Sequence, residues 1–331
     1  MKKYQVALLV LLAVAAAFTV GCGSNSVPTF SKMSMLSDRT VTPATELFTM
    51  GLDGSSVMPV QTGSSSFIWG LSVSADFKTV AYASGNEVWV VNPSSSTPTQ
   101  LTQNSANNAS SFTAKISPNG QKIVYPVFDS STGTGSIWIM NVDGTGSTNL
   151  TPTLPTGMTN CFVSSFSADS SKVAFACRGS STAGLYTMKT DGTQLTTVLT
   201  QSTEIDSPSF TPSGKQIVFI SWGTPGAALA HAASCASVGR YRQYLHPDLT
   251  PSCGTQGVAS VNLDGSNPTM IVPATNIIWE SEVLNSNLYY VTLDSTINKY
   301  QIFKANLDGT GSASISDGTA NDKLAVCGGC N

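Results

Sequence analysis

Two pairs of carboxylates stand out in a chain that is otherwise poor in charge: Glu204 with Asp206, and Glu280 with Glu282. Residues two apart on a strand share a face. Either pair could then do acid–base work on a glycosidic bond, one carboxyl giving a proton while the other takes one. The same pairs equally suit a solvated channel rim. Apart from turn residues, Glu87 is the other acidic group of note. No Gly-x-Ser-x-Gly elbow and no His-Glu-x-x-His motif accompanies them. The four carboxylates are therefore candidates only, no catalytic set is assigned, and the balance leans against an enzyme.

A second group sits in residues 222–257. This stretch holds both histidines, His231 and His246, together with Arg240, Tyr241, Arg242 and Tyr244. Arg and Tyr are the residues that anchor recognition surfaces, so this is a candidate binding surface for an envelope protein or glycan. A variable loop with no partner fits the same composition. Two histidines fifteen residues apart make a poor metal pair. The recurrent Asp-Gly-Thr-Gly turns lack the alternating carboxylates of a calcium loop. No metal and no cofactor is expected.

The chain has seven cysteines. Cys161 and Cys177 lie almost symmetrically about "Ala168-Asp169-Ser170", as partners across one hairpin would. Cys235 and Cys253 bracket the 222–257 stretch and would staple it. Cys327 and Cys330 form a terminal C-x-x-C. That spacing suits a redox motif, but the βαβ context of such motifs is missing and a small terminal disulfide fits better. An even number of cysteines after Cys22 implies an oxidising compartment.

The N-terminus agrees. Residues 1–21 have two lysines, an apolar run and small residues, the pattern of a secretory signal. "Thr19-Val20-Gly21-Cys22" resembles the bacterial lipobox, with Thr where the pattern usually has Leu. The resemblance implies a lipid on Cys22, and acyl chains anchor a protein stably. Gly23 in place of the inner-membrane retention Asp implies the outer membrane. Residues 22–29 then read as lipidated Cys and tether. Loss of Lys2 and Lys3 with the leader takes the formal charge from −3 to about −5. Such a chain cannot neutralise phosphates, which argues against nucleic acid. Only 11% of residues are charged, against about 25% in ordinary soluble domains; Ser, Thr, Asn and Gly fill the gap.

These groups must be held by a repeat. Asp-Gly occurs at 53, 143, 191, 264 and 308, with Asn92-Pro93 in a sixth, shortened copy. An aromatic stands five residues before the Asp in four copies: Phe48, Trp138, Tyr186 and Phe303. Alternation into a tight turn marks a half-buried strand, and Asp-Gly suits a two-residue hairpin. A second element precedes it: "SVSADFKTVAY", "KISPNGQKIVY", "SFSADSSKVAF" and "SFTPSGKQIVF". Each repeat thus has four short strands, and a period near 40–50 residues marks a propeller or solenoid. The expectation is an all-β, six-bladed β-propeller of four-stranded blades. Residues 30–331 form one domain, with strands from both termini sharing one blade and closing the ring. Helix should be scarce. The interval from Asp191 to Asp264 is long because residues 222–257 are inserted between two strands of one blade.

"Ser117-Pro118-Asn119-Gly120" through "Ile123-Val124-Tyr125", then "Ile137-Trp138-Ile139-Met140-Asn141-Val142-Asp143-Gly144", is similar to the WD40-like repeat of the TolB propeller family. The resemblance spans nearly all of residues 30–331. It implies fold more than function, because that repeat serves binding proteins and enzymes alike. TolB's N-terminal domain has no counterpart here, and TolB is soluble in the periplasm whereas this chain looks lipidated. The expected function is a non-catalytic, monomeric envelope lipoprotein that binds a protein or glycan. The alternative is a propeller glycosidase or lyase using carboxylates near the central channel.

Overall fold

The computed structural model describes residues 30–37, 46–60, 68–95, 97–226, 256–273 and 278–325. Along the chain, β1 (Lys32–Ser37), β2 (Glu46–Gly51) and β3 (Met58–Pro59) come first. Next are β4 (Ile68–Val73), β5 (Val80–Ser84), β6 (Glu87–Val91) and β7 (Thr99–Gln100). A one-turn 3-10 helix at Asn104–Asn107 leads to β8 (Ala109–Ser110), β9 (Lys115–Ile116), β10 (Lys122–Asp129), β11 (Thr134–Asn141) and β12 (Thr148–Asn149). Then follow β13 (Met158–Phe166), β14 (Lys172–Gly179), β15 (Ala183–Lys189) and β16 (Thr196–Gln201). β17 (Ile205–Phe210), β18 (Gln216–Trp222), β19 (Gln256–Asn262) and β20 (Thr269–Pro273) form the next group. β21 (Ile278–Leu284), β22 (Asn287–Asp294), β23 (Lys299–Asn306), β24 (Ala313–Ser314) and β25 (Asp322–Ala325) complete the chain.

Four of the sheets are separate and four-stranded, not six as the repeat count predicts: β25-β1-β2-β3, β4 to β7, β17 to β20 and β21 to β24. The nine strands β8 to β16 form one sheet. The reason is local. The far end of the β10–β11 hairpin reaches the start of β13, where Gly135 pairs in parallel with Asn160. The expected sharing of a sheet by the two ends is present: β1 pairs antiparallel with both β2 and β25. Ser37 Oγ donates to Asp322 Oδ1 at 2.7 Å across 285 positions of sequence. The first strands of successive groups form a closed circuit of neighbours, in the order β4, β9, β13, β17, β21, β25 and back to β4.

Both repeated elements have physical causes. In the first, the recurrent Ser or Thr closes the turn between the first two strands. Ser117 Oγ accepts the Lys122 N–H at 2.9 Å and donates to Asn119 Oδ1 at 2.7 Å. Ser74 with Asp76 and Thr79, and Ser167 with Asp169 and Lys172, repeat the arrangement. Ser117 is fully buried, so Ser117→Ala strands the Lys122 N–H. That change should lower stability by about 1–2 kcal/mol in urea unfolding, with Ser117→Thr retaining most of it.

The Asp-Gly turn differs from the two-residue hairpin expected. The Asn141 N–H donates to Thr145 O and the Gly144 N–H to Asn141 O, which leaves three residues in the loop. Only the glycine takes a positive φ, +86° at Gly144, the pattern of a type I turn closed by a glycine bulge. The aspartate keeps an ordinary φ because its carboxylate is used otherwise. Asp143 Oδ1 accepts the Thr145 N–H and hydroxyl at 2.9 and 2.7 Å. Asp53, Asp191, Asp264 and Asp308 do the same to Ser55, Thr193, Ser266 and Thr310. These hydrogen bonds hold each carboxyl below its ordinary range.

The repeat aromatics lie between sheets. Tyr82 stacks on Trp89, Phe175 on Tyr186 and Tyr290 on Phe303, each a cross-strand pair. Such pairs contribute roughly 0.5–1.5 kcal/mol beyond their burial. Cys161 and Cys177 face each other across β13 and β14 and are disulfide-bonded.

Candidate functional site

Inside the circuit of first strands, the same register position is occupied by Ser72, Lys115, Ser165, Ser209 and Glu282. Each is paired with the residue just before the repeat aromatic of the next strand. Two of the serines stitch neighbouring strands together. Ser72 Oγ accepts the Ile116 N–H at 2.7 Å and Ser209 Oγ the Val283 N–H at 3.2 Å. The two charged members meet. Lys115 Nζ lies 3.7 Å from Glu282 Oε2. Two first strands separate β9 from β21 in either direction round the circuit, so this ion pair crosses the space the circuit encloses. Ser209 Oγ also donates to Glu282 Oε1 at 3.3 Å.

Glu282 is 3% exposed. Burial pushes its carboxyl up to about 8, against the pull of Lys115 and the Ser209 hydrogen bond, with the Glu280 charge adding to the rise. Desolvation therefore wins over the ion pair.

The other predicted carboxylates have different occupations. Glu204 lies just before β17 and pairs with Arg178 of β14, Nη2 to Oε1 at 2.5 Å. The Arg178 guanidinium in turn lies 5.1 Å over the Phe162 ring. Asp206 is buried, and its Oδ1 accepts the N–H of Ser207, whose φ is +47° at the bulge of β17. Glu280 joins Glu282 on one face of β21, as the i, i+2 spacing implies. Glu87 is part of a separate structure. Its Oε2 accepts Thr102 Oγ1–H and the Asn104 N–H, and its Oε1 the Ser105 N–H, at 2.6 to 2.8 Å. Burial raises that carboxyl, but these donors outweigh it and hold it below the ordinary value.

The structure thus brings Glu280 and Glu282 together with Lys115, and gives Glu204 and Asp206 to other groups. Lys115 and Arg178 are not among the residues singled out from sequence. The signal for Lys115 was nonetheless present: "KIS" stands where three other copies have "SVS", "SFS" and "SFT". His231, Arg240, Tyr241, Arg242, Tyr244, His246, Cys235 and Cys253 lie outside the described residues, as do Cys22, Cys327 and Cys330. The stretch that carries the binding-surface candidates leaves after β18 and returns at β19. Those strands are partners, with Trp222 opposite Gln256. Among the described residues, no three His, Cys, Asp or Glu side chains cluster closely enough to hold a metal ion.

No family model matches the sequence, and no curated protein matches it either. Solved structures do. A putative TolB from Agrobacterium tumefaciens superposes with a TM-score of 0.60 at 14% identity, over 89% of this chain and 98% of that one. The fold is a β-propeller. TolB from Acinetobacter baumannii gives 0.62 at 15% identity, covering 89% of the propeller chain and 67% of its own. An oligogalacturonate lyase in complex with manganese gives 0.55 at 11% identity, over 87% and 75%. The likeness is of TolB type in fold, and at such identities it says nothing of chemistry.

Proposed function

We propose that the chain is a non-catalytic lipoprotein of the cell envelope whose propeller is a protein- or glycan-binding scaffold. In this reading Cys22 carries the lipid, the outer membrane holds it, and residues 30–331 act as one monomeric domain. Arg240, Tyr241, Arg242 and Tyr244 of the insertion face the partner. The main support is how the carboxylates are occupied. Of the four that could do acid–base work, Glu204 is spent on Arg178, Asp206 on its own backbone and Glu282 on Lys115. Serines hold three of the remaining positions at the level of the ion pair.

The test uses the purified chain with Cys22→Ser and a second version whose residues 229–256 are replaced by a short turn. Both are offered solubilised envelope and, separately, a panel of polysaccharides scored for new reducing ends and unsaturated uronides. The expected result is a discrete partner held by the first version and lost by the second, with no cleavage by either. Turnover of any polysaccharide would overturn the reading.

One observation favours the alternative, a propeller glycosidase or lyase. A carboxyl raised to about 8, with a second carboxylate on the same strand face, is the pairing an acid–base mechanism needs. In that case cleavage should be abolished by Glu282→Gln and by Glu280→Gln.

A further inference from the structure

A groove of about 630 Å³ opens on the outer half of the β10–β11–β12 sheet, within the range of ordinary small-ligand sites. Its floor is one face of that sheet, read at alternate positions. Tyr125, Val127 and Asp129 come from β10, and Thr134, Ser136 and Trp138 from β11. Ser147, Asn149 and Thr151 continue the face at β12. One wall is the segment Thr102 to Ala109, tied down from beneath by Glu87. Pro152 and Leu154 make the other.

Trp138 differs from the other members of its column that face an aromatic across the hairpin. Tyr186, Phe303 and Trp89, its counterparts, each stack on their cross-strand aromatic. Trp138 faces Tyr125 in register, yet the two form no stack among the described residues. Trp138 Nε1 instead donates to Ser136 Oγ at 2.9 Å, and the Tyr125 hydroxyl is taken up by Ser147 at 2.8 Å. The indole is thereby held half-buried along the groove floor, with its polar edge satisfied. Around it the polar groups are uncharged. Asn149 Oδ1 accepts the Thr151 N–H, and its NH₂ group has no protein partner among the described residues. Asn107, Gln103, Thr132 and Thr134 add further amides and hydroxyls. Among the described residues no Lys or Arg lines the groove, and the one carboxylate there, Asp129, is engaged by the N–H and hydroxyl of Ser131.

We propose that this groove binds a neutral oligosaccharide, with Trp138 as the platform under one pyranose ring. The proposal goes beyond the binding-scaffold reading above and adds a second site to it, built on β10 to β12. The electron-rich face of an indole suits the C–H face of a sugar. Amides and hydroxyls both give and accept hydrogen bonds, as sugar hydroxyls do. A uronate or phosphate would find no counter-charge and would meet Asp129.

The probes are maltohexaose, cellohexaose, xylohexaose and N-acetylchitohexaose, with hexagalacturonate as the acidic control. Binding to the full-length protein and to Trp138→Ala and Trp138→Tyr is followed by calorimetry, with melting curves as a folding check. At least one neutral hexamer should bind below about 1 mM, Trp138→Ala should weaken it about tenfold or more, and Trp138→Tyr should retain most of it. Hexagalacturonate should bind at least tenfold more weakly than that neutral hexamer. No neutral binding, preference for hexagalacturonate, or equal binding by folded Trp138→Ala would overturn the proposal. Capture of an envelope protein without any sugar binding would remove the groove and leave the scaffold reading standing. Sugar bound through Trp138 and then cleaved would support the groove and remove the non-catalytic reading.

Discussion

Glu282→Ala should destabilise the protein by about 3 kcal/mol at pH 9, where the carboxyl raised to about 8 has ionised, because it leaves Lys115 in a nearly enclosed place without a counter-charge. The side chains are 13% and 4% exposed, so water can do little for either. Lys115→Ala should cost less. A carboxyl already raised to about 8 can meet the loss by holding its proton. Replacing both, as Lys115→Met with Glu282→Leu, should leave stability near that of the wild type or somewhat above it. Urea unfolding of the three variants is the measurement. A larger loss in Lys115→Ala than in Glu282→Ala would refute the assignment of desolvation as the dominant force.

The same carboxyl should give the protein a pH dependence of definite sign. Glu282 titrates near 4.5 in the unfolded chain and near 8 in the folded one. Between those values the folded state keeps a proton that the unfolded state has released. Rising pH therefore favours unfolding. Its contribution is fully present below about pH 4.5, shrinks through neutrality, and is gone above about pH 8. Glu282→Gln should lack that slope, and parallel pH profiles of the two proteins would count against it.

Removal of the Cys161–Cys177 bond, as Cys161→Ala with Cys177→Ala, should cost about 3 kcal/mol, since the bond closes a short loop in the unfolded chain. The two positions are 16 apart and both side chains are buried. Reductant should destabilise the wild type more than this double variant. Equal sensitivity would mean that the bond contributes nothing to the folded state. Peptide mapping of the intact protein without reductant should recover the 161–177 linkage.

Much of the architecture was legible because the columns of the repeat are dictated by packing. The aromatic column, the Ser or Thr of the first turn and the Asp-Gly of the second each have one structural job, repeated until it shows. Sharing of a sheet by the two ends was legible for the same reason: the first copy lacks an inner strand and the last segment supplies one. The separateness of the sheets was not. It fails at Gly135 and Asn160, where the far end of the β10–β11 hairpin pairs with the first strand of the next group. Nothing in hydrophobic alternation records that single contact.

The site was legible only in its carboxylates. The i, i+2 rule placed Glu280 and Glu282 on one face, but it could not say that a lysine from across the circuit would reach them. Lys115 lies 167 positions from Glu282, and their meeting is a product of closure. Departures from a column were the better signal. Lys115 stands where three other copies have serine, and Trp138 faces a cross-strand aromatic as Trp89, Tyr186 and Phe303 do but does not stack on it.

Pairing of β1 with β25 also sets the order in which the molecule can be completed. β1 is synthesised well before β25. Until β25 has been made, one edge of β1 is an open ladder able to pair with a neighbouring molecule. Such non-local pairing is slow to form. A chain cut short before Asp322 would carry every other sheet intact and still expose that edge. The four residues of β25 are therefore what covers that edge, and a chain without them carries an exposed strand open to association.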